Sequence, residues 1–243
     1  MCSQRFILCG LNFLLITLEG LWTMNNVINY EDKEYASMCN KYMDYIAEHI
    51  ANVEKSYYLL FEDGNKLTLD GYTDEQIAEV LSVLKEDIKN HDSSKFSDEE
   101  FYAYRAFFNP TDKEKELMND ENYYKQAEDA FGDAWKHHYT HNPHHPLFWK
   151  WVDVKEYANG VPKIIVVREF EKEPEDMTLV EILHMICDWN AMSIKFNSKV
   201  INWYLSDEGQ KEKGIMSKNT VILLEQCLSI LYNYKFINDE NDR

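Results

Sequence analysis

The stretch LKEDIKNHDSSKFSDEEF, residues 84–101, combines a helical apolar pattern with a group of polar side chains. Leu84 and Ile88 are four residues apart, which is the spacing of a buried helix face. His91 follows Ile88 by three residues, and Asp92 follows it by four. The pattern therefore predicts that both extend the core-facing stripe of a helix. A buried carboxylate is costly unless a partner neutralises it, and a bound divalent cation would do so.

Helical spacing of apolar residues extends over most of the chain on both sides of this stretch. Apolar side chains recur at helical spacing over residues 35–61. A capping box, in which Ser or Thr is followed three residues later by Gln or Glu, begins three further helices: Thr73 with Gln76, Ser97 with Glu100, and Thr178 with Glu181. Residues 121–141 and 218–234 add two more helices. The predicted fold class is all-α, a mainly helical bundle.

The apolar pattern changes around residues 150–170. Val152 and Val154 alternate with polar residues, and an apolar run follows at residues 164–167. Asn159-Gly160 stands between them, and this dipeptide is a strong signal for a tight hairpin turn. We therefore expect a small β-hairpin inserted into the helical fold.

Composition and charge limit the possible functions. The chain has 243 residues and is 45% hydrophobic, which suits one large domain with a real core. Its formal net charge of −18 repels nucleic-acid phosphates and anionic lipid, so we expect neither a nucleic-acid duplex nor a membrane as partner. A small phosphorylated substrate remains compatible, because a bound metal reverses the local charge within a cleft.

The first 23 residues differ from the rest. The stretch Phe6 to Thr17 is apolar, but it lacks a small-residue cleavage site, and Glu19 interrupts it before it could span a bilayer. We interpret residues 1–23 as an upstream extension or an apolar N-terminal segment, with translation starting at Met24. Residues 24–243 are then expected to form a single helical domain. Five scattered cysteines without a CxxC pair indicate reduced thiols and a cytoplasmic location.

Further His and Asp residues stand on predicted buried helix faces. His49 lies three residues after Ile46 and four before Val53. His138 follows Ala134 by four residues, and Asp188 lies within an otherwise nonpolar helical stretch. Four helices therefore each direct a His or Asp inward. Such ligands in a helical core suit Fe, Mn, Zn or similar divalent ions.

Each of these residues also has a simpler explanation. A single His on an apolar face is more often a hydrogen-bonded core residue than a ligand, and a single buried Asp often caps a helix. His91-Asp92 could mark a helix end. The segment 137–145 holds five of the eight histidines and could be a surface His-rich tract. The conjunction of all of them is what favours a metal site.

The order His49, His91-Asp92, Asp188 resembles the signature of the HD-domain superfamily of metal-dependent phosphohydrolases. Lys95, three residues after Asp92, resembles the HD-GYP branch, although the GYP tripeptide is absent. The resemblance implies that these four His and Asp residues hold one metal ion, and that Asp92 bridges to a second.

The same resemblance implies the remaining roles. His138 with His144 or His145 would complete the second metal site, and His137 and His144 are further candidates for binding substrate. Lys95 would steady phosphoryl oxygens or assist the leaving group; alternatively, it is a solvated cation at a helix end. The cofactor would be one or two divalent ions: Mn, Fe, Zn or Mg.

A second resemblance covers residues 40 to 205. It rests on the strings HDSSKF at 91–96, HHP at 144–146 and CDWNAM at 187–192. These strings are similar to an uncharacterised bacterial and phage family with no assigned function. This resemblance implies no activity.

Three functions follow as hypotheses. The first is a metal-dependent phosphohydrolase acting on a nucleotide or another small phosphorylated metabolite. The second is a His/carboxylate di-iron oxygenase. The third is a non-enzymatic phage or bacterial accessory protein with a structural metal site. Oligomeric state is left open by the sequence.

Overall fold

The computed structural model describes residues 33–62, 67–150 and 173–236, and the backbone of 155–158 and 161–164. Within these residues the chain is mainly helical, which confirms the helical class expected from the apolar spacing.

The described residues form nine α-helices and several short turns of 3₁₀ or π type. The α-helices are α1 (Lys33–Tyr57), α2 (Asp74–Asp87), α3 (Asp98–Phe108), α4 (Asp112–Leu117), α5 (Glu121–His141), α6 (Leu179–Lys195), α7 (Val200–Tyr204), α8 (Asp207–Lys213) and α9 (Lys218–Tyr232). A π-helical turn, Tyr58–Glu62, follows α1, and 3₁₀ turns occupy Ile88–Asn90, Ser93–Phe96 and Pro146–Trp149. The short helices α4, α7 and α8 were not predicted, since each is too short for a periodic apolar face.

Two of the three predicted helix caps are confirmed. Thr73 and Gln76 form a full capping box at α2, and Thr178 accepts the first-turn backbone N–H of Glu181 at α6. The prediction for Ser97 is wrong, because its side chain makes no capping hydrogen bond. Ser97 still occupies the N-cap of α3, and the carboxylate of Glu100, which a capping box would direct to the Ser97 backbone, contacts two histidines of α5 instead.

Two short strands lie in the region where the hairpin is expected. β1 (Lys155–Ala158) and β2 (Val161–Ile164) pair antiparallel, with Ala158 opposite Val161. The residues between and around the strands are not among those described. A hairpin inserted over the whole of residues 150–170 therefore stays a prediction.

The described helices pack around two apolar clusters. α6 packs against α1 and α2 and supplies much of the larger cluster, while α3 packs against α5 around the smaller one. α1 contributes to both, with Ile46 in the smaller cluster and Val53 in the larger one. His49 lies between these two residues on the same buried helix face. The polar cluster described next therefore sits at the boundary between the two apolar clusters.

A bilayer-spanning helix is not found within 33–62, 67–150 or 173–236, since none there is both long and apolar enough.

Candidate metal centre

Eight His and Asp side chains, separated by up to 139 positions in the sequence, meet in one buried cluster. They are His49, His91, Asp92, His138, His144, His145, His184 and Asp188. Six of them are buried, whereas His145 and Asp188 are partly exposed. Overlapping groups of at least three could each hold a metal ion.

The pair His91-Asp92 reaches the cluster through a turn and not along a helix. α2 ends at Asp87, and a 3₁₀ turn over Ile88–Asn90 closes with the backbone N–H of His91 on the Ile88 carbonyl oxygen. Asp92 then adopts a left-handed conformation with φ 52°. Asp tolerates this conformation better than most residues. The predicted continuation of the helix stripe to these two residues is therefore wrong, although both side chains do point inward.

The first ligand group brings together one donor atom from each of four side chains. His49 Nε2 lies 3.0 Å from Asp188 Oδ1 and 3.1 Å from His91 Nε2. Asp92 Oδ2 lies 3.3 Å from His91 Nε2 and 3.6 Å from His49 Nε2. Ligands bound to one ion at roughly 2.0–2.2 Å are separated by roughly 3.0–3.6 Å in tetrahedral or octahedral geometry. The four distances given above fall in this range, whereas His91 Nε2 and Asp188 Oδ1 are somewhat farther apart, at 3.9 Å.

The electrostatics of this group call for a positive charge at its centre. Burial lowers the pKa of His49, but hydrogen bonds to Asp188 and Asp92 outweigh it and raise this pKa to about 9. Burial raises the pKa of Asp188, yet the same contact with His49 holds it well below its usual range. A proton on His49 thus balances two carboxylates. A divalent cation at the same place would balance them more fully.

The second ligand group forms around the other oxygen of Asp92. Oδ1 lies 3.3 Å from His138 Nε2 and 3.4 Å from His144 Nε2, and His145 Nε2 lies 2.9 Å from His138 Nε2. Asp92 Oδ1 and His144 Nε2 are buried and have no hydrogen-bond partner among the described residues. Unpaired buried polar atoms are rare in folded proteins. An ion between them would satisfy both.

Glu100 orients the histidine at the centre of the second group. Its Oε2 lies 2.9 Å from His138 Nδ1, and its Oε1 lies 2.7 Å from His137 Nδ1. Burial raises the pKa of Glu100, but hydrogen bonds from His138 and His137 outweigh it and lower this pKa overall. The ionised carboxylate accepts the Nδ1–H of His138, which leaves the Nε2 lone pair free to face Asp92. A carboxylate behind a ligating histidine is a common feature of metal centres.

Lys95 marks the side on which the cluster opens to solvent. Its Nζ lies 2.6 Å from Asp92 Oδ2. Burial lowers the pKa of Lys95, but Asp92 outweighs it, so this pKa is raised and the side chain stays cationic. Side-chain exposure is 18% for Lys95 and 15% for Asp188, against 2% for Asp92 and 0% for His91. A small molecule would approach the ligand groups from the Lys95 and Asp188 side.

The structure brings together nearly all of the residues singled out from the sequence. His49, His91, Asp92 and Asp188 form the first group, and His138 and His145 belong to the second. His144, a candidate for substrate binding or the second metal, faces Asp92 Oδ1 from within the buried cluster. His137 lies beside the cluster, held by Glu100. The alternative of a surface His-rich tract at 137–145 does not hold for His138 and His144, which are buried, whereas His141 is exposed.

The sequence patterns did not predict the roles of two residues: one member of the cluster and the glutamate that orients His138. Glu100 was interpreted as a capping residue. His184 stands one helical turn before Asp188 and was not predicted as part of the site, yet its Nε2 lies 3.0 Å from His91 Nδ1. The four-residue spacing of His184 and Asp188 on α6 was the available signal, since it places both on one helix face.

The described residues thus define a mainly helical protein with a buried His/Asp cluster suited to a metal ion. The chain belongs to DUF5662, a family of unknown function, whose model matches residues 38–230. This range contains the whole cluster, and the match agrees with the predicted resemblance to a family without assigned function. No curated protein and no solved structure gives a significant match. The family match does not include an HD-domain model, so the HD resemblance stays a hypothesis.

Proposed function

We propose that the chain is a metal-dependent phosphohydrolase with two divalent ions, acting on a nucleotide or another small phosphorylated metabolite. The observation that carries the proposal is the position of Asp92 between the two ligand groups. Its Oδ2 faces His49 and His91, and its Oδ1 faces His138 and His144. One carboxylate that faces two sets of ligands in this way is suited to bridge two cations.

The donor set favours a transition metal. His49, His91 and Asp188 would hold the first ion together with Asp92, and three histidines of residues 138–145 would hold the second. Imidazole suits Zn and Fe, whereas Mg prefers oxygen ligands, so five histidines argue against Mg. Two such ions would supply Lewis-acid polarisation of a phosphoryl oxygen and activation of a water molecule.

The open side of the cluster carries a cation, as a phosphate requires. Lys95 is cationic and directs Nζ into the first group, where it is placed to donate a hydrogen bond to a phosphoryl oxygen. Lys195 lies on α6 seven residues after Asp188, on the same helix face. Its Nζ is 4.0 Å from the centre of the Tyr45 ring and 3.2 Å from Oε2 of Glu48. Lys95 at the edge of the ligand cluster favours an anionic substrate even in a chain of net charge −18.

Aromatic rings on the same side support a substrate with a planar base. Tyr45 lies one helical turn before His49 on α1. Its ring is nearly parallel to that of Phe108, at an interplanar angle of 20° and a centroid distance of 6.4 Å. Phe108 is 54% exposed, so its ring is available to a ligand. A nucleobase would stack on these rings while its phosphate meets Lys95.

Phosphate release is the direct test of this proposal. The protein is purified without chelator, analysed for metals, supplemented with Mn²⁺, Fe²⁺ or Zn²⁺, and offered nucleotides, sugar phosphates and simple phosphoesters. We expect turnover that a chelator abolishes. Lys95→Met should lower kcat by roughly 10²-fold or more, while bound metal is retained, because the cation is lost without loss of a ligand. Lys89→Met is the matched control, since this lysine is exposed and pairs with Glu86 on the surface.

Three results would overturn the proposal. Metal-loaded protein that releases phosphate from no substrate class would favour an accessory protein with a structural metal. Retained iron with visible absorbance and oxygen consumption would favour the di-iron oxygenase. Protein without metal, whose melting temperature does not respond to added ions, would leave the cluster as a hydrogen-bonded core.

A further inference from the structure

His184 contacts His91 of the first ligand group, on the side of the ring that faces away from the other donor atoms. It lies on the buried face of α6, four residues before Asp188, and is 5% exposed. Its Nε2 is 3.0 Å from Nδ1 of His91, and the two rings are tilted by 50°. The opposite nitrogen of His91, Nε2, faces His49 and Asp92. His91 therefore stands between His184 and the donor atoms of the first group.

The position of one proton decides whether His91 can serve as a ligand. A histidine must be neutral to bind a metal ion through a ring nitrogen. A neutral imidazole carries a single N–H. With the proton on Nε2, His91 would donate to Asp92 and be closed to a metal ion. With the proton on Nδ1, the Nε2 lone pair is free.

We propose that His184 is a positioning residue for the metal centre: its Nε2 accepts the Nδ1–H of His91 and so keeps the Nε2 lone pair of His91 directed at the first ligand group. The inference rests on the metal centre of the proposed function, and it does not depend on the reaction catalysed there.

The surroundings of His184 favour the tautomer that this role needs. To accept at Nε2, His184 must carry its own proton on Nδ1. Glu181, three residues earlier on α6, places Oε2 at 3.9 Å from that Nδ1. This oxygen is buried and has no hydrogen-bond partner among the described residues. Its negative charge favours a proton on Nδ1 of His184 without a direct hydrogen bond.

The second ligand group is supported in the same way. There Glu100 accepts the Nδ1–H of His138 and frees the Nε2 of that ring. At the first group, the imidazole of His184 has the role that Glu100 has at the second, and the carboxylate of Glu181 lies near the other nitrogen of His184. Each group thus contains a histidine whose outer nitrogen is held from behind, which is how metal centres commonly fix ligand orientation.

Two substitutions separate positioning from packing. His184→Leu removes the acceptor, whereas His184→Gln keeps a carbonyl oxygen that can accept the proton of His91. In the full-length protein titrated with Mn²⁺, we expect His184→Leu to weaken binding roughly 10- to 100-fold and His184→Gln to stay close to wild type. The tautomer of His91 is read in metal-free protein from long-range ¹H–¹⁵N correlations. We expect the proton on Nδ1 in the wild type, and a shift towards Nε2 in His184→Leu alone.

The control is Ile182→Val, a buried change on the same helix, which should lower the melting temperature and leave Mn²⁺ affinity unchanged. Unaltered affinity and an unaltered His91 tautomer in His184→Leu would overturn the inference. Loss of one metal equivalent in both His184 variants would also overturn it, because His184 would then be a ligand. Wild-type protein that binds no metal refutes the proposed function. The tautomer measurement on that protein still tests whether His91 donates its Nδ1–H to His184.

Discussion

Asp92 joins the two ligand groups through its two carboxylate oxygens. Its left-handed backbone conformation and its position between His91 and the 3₁₀ turn Ser93–Phe96 place the carboxylate at the centre of the cluster. Burial raises the pKa of Asp92, but His91, Lys95 and His138 together hold it well below its usual range. The side chain is therefore an anion over the whole physiological pH range.

Asp92→Asn tests this role at the scale of one residue. Asn adopts the left-handed conformation as readily as Asp, so we expect the fold to persist. The amide does not bridge two cations, so bound metal should fall from about two equivalents to one or none, and activity should fall by orders of magnitude. Metal analysis and a melting curve of this variant are the measurements.

The matched control is Asp120→Asn, because Asp120 caps α5 and Asn caps a helix equally well. If Asp92 is only a paired structural carboxylate, Asp92→Asn will lose stability by roughly 1–3 kcal/mol and keep its normal metal content. Full metal occupancy in that variant would contradict the ligand assignment.

At the scale of secondary-structure elements, α3 connects the ligand cluster to the rest of the smaller apolar cluster. One end of the helix supplies Glu100 to the histidines of α5. One turn further on, Arg105 donates two hydrogen bonds to the carboxylate of Glu114 on α4, with distances of 2.5 and 2.7 Å. Both partners are almost fully buried. The ion pair fixes α4 against α3, and α3 in turn holds Glu100 in place.

Breaking this ion pair should destabilise the fold without removing a ligand. Glu114→Gln leaves the guanidinium of Arg105 buried without its counter-charge, and such changes cost roughly 3–5 kcal/mol. We expect the urea midpoint to fall accordingly, while metal content at low temperature stays normal. Glu116→Gln on the exposed face of α4 is the control and should change stability by less than about 0.5 kcal/mol. A loss of metal in folded Glu114→Gln would show that α4 takes part in shaping the centre.

At the scale of the whole molecule, the cluster concentrates negative and titratable groups at the boundary between the two apolar clusters. The histidines and carboxylates come from α1, α5, α6, the turn after α2 and the segment that follows α5. An ion bound there links all of these elements. Metal binding should therefore stabilise the described fold as a unit, because only the folded chain brings the ligands together.

Chelation should lower the melting temperature of the purified protein, and added Mn²⁺, Fe²⁺ or Zn²⁺ should restore it. An ion present at about 100 times its Kd contributes roughly 2.7 kcal/mol of folding free energy.

The difference in stability between metal-bound and metal-free protein should depend on pH. In metal-free protein, His49 has a pKa raised to about 9, so its protonation stabilises the fold. This contribution is fully present below about pH 6.5 and is lost as the pH rises through about 9.

Metal competes with that proton, so the stabilisation by metal should grow as pH increases from about 6.5 to 9. Melting curves with and without chelator across this range measure both effects, and His49→Gln should abolish the alkaline decline of the metal-free protein. If the chelator lowers the melting temperature by the same amount at every pH, the assignment of His49 as a ligand is contradicted.

Much of the secondary structure could be predicted from the sequence because it depends on local interactions. Helical apolar spacing places α1, α2, α5, α6 and α9, and the caps at Thr73 and Thr178 act on backbone N–H groups three residues away. The order of His49, His91-Asp92 and Asp188 was also sufficient to select the first ligand group. Local spacing did not predict the contacts of Glu100. Its carboxylate binds His138 on another helix and does not form a capping box with Ser97.

Only the tertiary structure decided how the donor atoms pair. His91 and His184 are 93 positions apart, and Glu100 and His138 are 38 apart, so no spacing rule links them. Their meeting depends on how α3 packs on α5 and how α6 packs on α2. Which nitrogen of each ring faces inward follows from that packing, since a hydrogen bond from behind is what fixes a tautomer. The sequence by itself determined which residues were available as ligands, and the packing of distant helices decided which of their atoms meet.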